Sequence, residues 1–109
     1  MNIITFFVND QLVFEYDRDT VLQNEQLDFL DKMDTDMDRG VKIRGELLSD
    51  PDSQQRATFV ALNLLRAMQQ ENQGAIAVSC AYLSTRLPGL HEVHVSNEEG
   101  AVTVELLEE

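Results

Sequence analysis

Residues 3–8 read Ile-Ile-Thr-Phe-Phe-Val, a run of β-branched and aromatic side chains that is apolar on both of the faces a strand presents. A strand with one face in water alternates, whereas a strand apolar on both sides belongs inside a sheet. This segment therefore demands strand neighbours and a covering layer from the rest of the chain. One neighbour follows directly. Residues 11–16 alternate in part, with Leu12, Phe14 and Tyr16 on one face and Gln11, Val13 and Glu15 on the other, and Asn9-Asp10 between the two segments has the residue types of a tight turn. The end of the chain supplies a second hairpin. Residues 92–96 place Val93 and Val95 opposite His94, residues 101–107 group Val102, Val104 and Leu106, and Asn97-Glu98-Glu99-Gly100 joins them.

Between the hairpins the apolar period changes from two to that of a helix. Asp19 or Thr20 is placed to cap a first helix from Val21 onward, with Leu27, Leu30, Met33 and Met37 on one stripe, Phe29 flanking, and Gly40 as its stop. Asp50-Pro51 predicts the start of a second helix, Asp50 as cap and Pro51 in the first position, running through Ala57, Val60, Ala61, Leu64, Leu65 and Met68 to about Gln70. After a break at Glu71-Asn72-Gln73-Gly74, residues 75–87 predict a third, mostly apolar helix carrying Cys80, ended by Pro88-Gly89. Residues 41–48 alternate Val41 and Ile43 with Lys42 and Arg44 until Gly45 interrupts, which suggests an ordered connection with a short strand. The expected architecture is α+β in one domain over residues 1–109: an N-terminal β-hairpin, two to three central helices and a C-terminal β-hairpin, forming one antiparallel sheet of about four strands with helices on one face. No internal repeat, low-complexity segment or linker interrupts it.

Charge narrows the function classes. Twenty acidic residues against eight basic ones give a net charge of −12 at pH 7. Such a field repels phosphate backbones and anionic membranes, so no nucleic-acid or membrane partner is expected, while cations and basic protein surfaces are favoured. The 43% apolar content is that of a folded protein and not of a disordered acidic tail. Cys80 is the sole cysteine and has no disulfide partner within the chain. The apolar opening ends at Asn9-Asp10, too soon for a signal peptide, and no run approaches the roughly 20 apolar residues of a membrane span, so a cytoplasmic location is expected.

The densest charge lies in residues 27–46, where Asp28, Asp31, Asp34, Asp36 and Asp38 precede Arg39, Lys42 and Arg44. Asp34-x-Asp36-x-Asp38-x-Gly40 after an amphipathic helix resembles the opening of an EF-hand calcium loop, which makes Asp34, Asp36 and Asp38, with Glu46, the candidate metal ligands. The pattern departs from that loop in three ways. Arg39 stands where glycine should follow the third aspartate. Position twelve falls on Gly45, with Glu46 one residue late. On a continuing helix the three carboxylates splay at about 100° per residue. The competing reading is a solvated acidic helix end, unfavourable to the helix dipole, with Arg39, Lys42 and Arg44 neutralising it or serving as an interaction surface.

Other chemistry is sparser. His91 and His94 stand three apart near a strand start, where alternation points their rings to opposite faces, and they read as a surface pair. Cys80 reads as a core residue. No phosphate-cradling glycine loop and no nucleophile motif is present, so no catalytic residue and no cofactor is expected. Ile3, Phe7 and Leu107 predict apolar area on the uncovered face of the sheet and motivate a homodimer. The leading expectation is a non-enzymatic protein acting by protein–protein interaction, as a homo-oligomer. The alternatives are a divalent-cation (Ca or Mg) binding protein using the aspartate stretch, and a small enzyme with a carboxylate or histidine base.

Overall fold

A computed structural model describes residues 3–43 and 45–108, so Arg44, one of the three candidate interaction residues, lies outside the described residues. The chain runs β1 (Ile3–Val8), β2 (Gln11–Asp17), α1 (Asn24–Met37), β3 (Val41–Ile43), β4 (Glu46–Leu48), α2 (Ser53–Gln69), α3 (Gln73–Arg86), β5 (Leu90–Glu98) and β6 (Ala101–Glu108). Four strands form one sheet in the order β2-β1-β5-β6, and helices pack against it, an α+β fold. No helix among the described residues is long and apolar enough to cross a membrane.

The run apolar on both faces takes an interior position, with β1 between β2 and β5. Both terminal hairpins are antiparallel as expected, but the central pair is parallel, with Phe6 opposite Val93 and Val8 opposite Val95, so the sheet is mixed and not antiparallel throughout. The cause is where the crossover returns. The chain leaves β2 at the end of the sheet where β1 began, and the helical segment brings it back to that same end, so β5 starts beside the start of β1.

The inner face of the sheet and the facing sides of α2 and α3 make the core. Ile4, Phe6, Val93 and Val95 pack with Val60, Ala61, Leu64, Cys80 and Leu83, and Phe14, Tyr16, Val104 and Leu106 close its edges. The Phe6 and Phe14 rings stack at 4.5 Å. A register shift between Phe6 and Phe7 breaks the alternation of β2, so Leu12 pairs with Phe7 instead of sharing a face with Phe14, and it is left 57% exposed.

Helix starts depart from the expected caps. Asp50 is not the cap of α2. It takes a positive φ of 60°, and Asp52 caps the helix, accepting from the Gln55 N–H at 2.8 Å while the Gln55 side chain accepts from the Asp52 N–H at 2.9 Å. Helix α1 begins later than Val21, capped by Gln23 and not by Asp19 or Thr20, and α3 begins at Gln73 under Asn72, so Gly74 lies in its first turn. Gly40 ends α1 as expected, at φ 111°, with a Cβ there coming within 3.1 Å of the Leu48 carbonyl. Where one short strand was expected there are two, with Val41–Ile43 (β3) pairing antiparallel with Glu46–Leu48 (β4).

Arg18, in the turn after β2, fastens the two halves. Its Nη1 donates to the Ser84 carbonyl at 2.9 Å, its Nη2 to Leu87 at 2.7 Å and to Leu90, and its Nε to Leu90 at 3.1 Å. A guanidinium thus satisfies the terminal carbonyls of α3 and sits at the negative end of its dipole. Arg18→Met keeps the stem and removes these bonds. It is expected to lower unfolding free energy by about 2 kcal/mol, read as a lower urea midpoint at an unchanged slope.

Candidate functional site

Helix α1 is polar, and among its residues only Leu30 and Met37 are fully buried. Burial of two such side chains contributes about 1.5–3 kcal/mol each, which is little for fourteen residues. Met33 packs partly buried against the same core, and the aspartates add further attachment. Asp34 Oδ1 accepts from the Tyr82 hydroxyl at 2.5 Å and from Arg56 Nη1 at 3.3 Å, while Oδ2 accepts from Arg86 Nε at 2.9 Å. Arg56 also donates to the Asp34 carbonyl at 3.1 Å, to Asp38 Oδ1 at 2.5 Å and to the Pro51 carbonyl at 3.1 Å. Arg86 reaches Asp31 at 2.9 Å and lies over the Tyr82 ring, 5.7 Å from its centroid. One carboxylate therefore joins α1 to α2 through Arg56 and to α3 through Tyr82 and Arg86.

The network is electrostatically saturated. Partial burial pushes the Asp34 carboxyl up, but the hydrogen bonds from Tyr82, Arg86 and Arg56 outweigh it and hold the carboxyl below its ordinary value. Burial, reinforced by the bond to Asp34, pushes the Tyr82 hydroxyl well above its ordinary value. Arg56 is raised, chiefly by its bond to Asp38. None of these groups is poised to exchange a proton near neutrality.

The sequence-predicted residues separate. Asp34 and Asp38 are engaged by arginines, Asp36 is exposed, and Glu46 stands on β4. No group of three or more His, Cys, Asp or Glu side chains arranged to hold a metal ion occurs among the described residues. The aspartates are neutralised by helices far along the chain and not by Arg39 or Lys42, which make no ion pair among the described residues. Cys80 is 1% exposed, its thiol pushed up to about 12 by burial. His91 and His94 do not diverge as alternation predicts. A register shift between Leu90 and Glu92 lets both approach Glu92, at 3.5 and 3.2 Å, while the His94 ring stacks on Phe7 at 4.4 Å. That pair lies on the sheet face away from the helices, where Glu105 and Leu107 of β6 also lie.

A groove of ≈ 350 Å³ lies where α1 meets α2 and α3. Phe29 and Met33 of α1 form one wall, Val60 of α2 the floor, and Ala75 and Val78 of α3 the other wall. Phe29 is 47% exposed at its lip. Glu25 precedes Phe29 by four residues and Asp36 follows Met33 by three, which places both on the groove side of α1. Glu25, Asp28 and Asp36 make no ion pair among the described residues. The groove escapes sequence reasoning because its walls come from three helices. The one available signal is Phe29, off the Leu30–Met37 stripe. Compared with family models, curated proteins and solved structures, the chain matches none.

The network predicts a contrast between look-alike aspartates. Asp34→Ala is expected to lower stability by about 2 kcal/mol by removing an acceptor shared by three donors, and Asp36→Ala to change it by less than about 0.5 kcal/mol. Because the Asp34 carboxyl is lowered in the folded state, its contribution is complete above its unfolded value near 3.8 and is lost as pH falls through the lower folded value. Denaturation series on wild type and Asp34→Asn should therefore converge below pH 3.8. A difference that persists unchanged into acid contradicts the assignment.

Proposed function

We propose that this chain acts by binding a protein partner and not by catalysis, and that the groove between α1 and the α2–α3 pair seats apolar anchor side chains of a basic segment of that partner. The observation that carries the reading is Phe29, a large aromatic side chain half exposed at the lip of an apolar groove, with Glu25 and Asp36 placed beside it by helical spacing and forming no ion pair among the described residues. Anchors inserted at helical spacing into such a groove are a common way of recognising a peptide, and rim charges select the partner by sign. A net charge of −12 favours a basic segment at long range.

Self-association through the open sheet face is the weaker part of the proposal. Phe7, Leu12 and Leu107 offer apolar area there, but Glu15, Glu92 and Glu105 share the face, and two copies stacked on it would bring carboxylates together. A basic segment in the groove meets no such opposition.

Two model peptides test the reading: an amphipathic helix with leucine anchors and a lysine face, and the same helix with glutamates for lysines. Amide shifts should saturate at Phe29, Met33, Val60 and Val78 with the lysine peptide alone. Phe29→Ala should weaken binding roughly tenfold, about 1.4 kcal/mol, with wild-type stability nearly kept because the ring is half exposed. Shifts scattered over the acidic surface, and indifferent to Phe29, would remove the groove from the account.

A further inference from the structure

A second cleft opens on the other side of α2, where the β3–β4 turn and the β5–β6 turn approach the helix. It measures ≈ 530 Å³ and is lined by Lys42, Arg66, Asn63, Gln69 and Asn97 around an apolar floor of Phe59, Leu62 and Val102. Its charge is unlike that of the rest of the chain. The lining holds two cations and no carboxylate, although acidic residues outnumber basic ones twenty to eight overall. Arg18, Arg56 and Arg86 are committed to carbonyls and carboxylates of the fold. Lys42 and Arg66 form no ion pair among the described residues and project from different elements into the same space.

We propose that this cleft binds a small amphipathic organic anion, its single carboxylate held between Lys42 and Arg66 and its apolar body laid on Phe59, Leu62 and Val102. The volume is that of a small-ligand site, and an apolar floor with a few convergent polar groups is the usual construction of one. Arg66 offers a planar donor pair to a carboxylate and Lys42 a point charge, while the amides of Asn63, Gln69 and Asn97 complete the polar rim. A single negative charge is specified by the surroundings. Glu46, Glu98 and Glu99 flank the two turns outside the lining, in neighbouring depressions, and oppose a multiply charged phosphate more strongly than a monoanion. The site is separate from the α1 groove and does not rest on the peptide-binding reading.

The test is a titration of the whole chain with octanoate, its neutral analogue octanamide and inorganic phosphate, followed by amide shifts. Octanoate should give saturable shifts at Lys42, Arg66, Asn97 and Val102, and octanamide and phosphate should bind at least tenfold more weakly. Lys42→Glu and Arg66→Glu should each weaken octanoate at least tenfold. Both side chains are exposed, so thermal melts should stay close to wild type, with a small loss for Arg66→Glu because Arg66 stands in the last turn of α2. Arg66→Gln, which should also weaken octanoate, reduces that loss. Equal binding of octanamide, octanoate shifts confined to Phe29 and Val78, or no saturable shift would each overturn the proposal. A lysine-face peptide that still binds at Phe29 in these variants would leave the groove standing by itself.

Discussion

A fourteen-residue helix with five carboxylates and one lysine has no intrinsic reason to pack on a chain that is already strongly negative. What makes it pack is the supply of three opposing donors at one point. Asp34 is 30% exposed at its side chain, far enough from water for its hydrogen bonds to matter and close enough to avoid the full cost of burying a charge. Tyr82, Arg56 and Arg86 converge on it from two other helices. Removing the carboxylate would leave the Tyr82 hydroxyl without its acceptor, and reduce Arg56 to its bonds with Asp38 and backbone carbonyls and Arg86 to its bond with Asp31. Leu30, Met37 and the partly buried Met33 attach α1 to the core, and the charge cluster adds a directional constraint that ties it to α2 and α3 at one point.

Arginine is used here where a planar fork is required. Arg18 distributes its nitrogens over the Ser84 and Leu87 carbonyls at the end of α3 and the Leu90 carbonyl of β5, Arg56 bridges two aspartates and backbone carbonyls, and Arg86 bridges two aspartates while lying over an aromatic ring. A lysine at any of these positions would offer a point charge and lose most of the geometry. The framework therefore consumes cations in a chain that has few, and the position of the remaining ones becomes informative. Lys42 and Arg66 meet in one cleft free of carboxylates, which sets that cleft apart from an ordinary surface depression.

How much of this was legible in the sequence follows from the range over which each feature is determined. The hairpins are local: alternation on either side of Asn9-Asp10 and of residues 97–100 specifies them. The parallel pairing of β1 with β5 is not local, since it depends on where some seventy intervening residues return the chain. Leu12 and His91 were placed on the wrong faces by period-two reasoning because a register shift in each hairpin displaces one residue. Asp50-Pro51 has the residue types of a cap and a first helical position, yet the reciprocal bonds with Gln55 make Asp52 the cap. Asp34, Asp36 and Asp38 look alike in sequence. Only partners 22, 48 and 52 residues away single out Asp34. Lys42 was legible as part of a basic cluster, while Arg66 was not, because nothing near it in sequence distinguishes it from a solvated helix position.

The two candidate sites share α2 as a common wall, and Asn63 contributes to both linings. Their electrostatics are opposite: carboxylates rim the groove on the α1 side, and cations line the cleft on the β3–β4 side. Helix α2 is also pinned on its inner side by Ala57, Val60, Ala61 and Leu64, all nearly inaccessible, so it has little freedom to tilt when either site fills. On the two proposals, a shared wall with carboxylates on one side and cations on the other would give a cationic segment and an organic anion separate places on the chain. Lys32 and Arg39 likewise form no ion pair among the described residues, but they stand on or just beyond the carboxylate-bearing α1, whereas Lys42 and Arg66 share a cleft on the other side of α2.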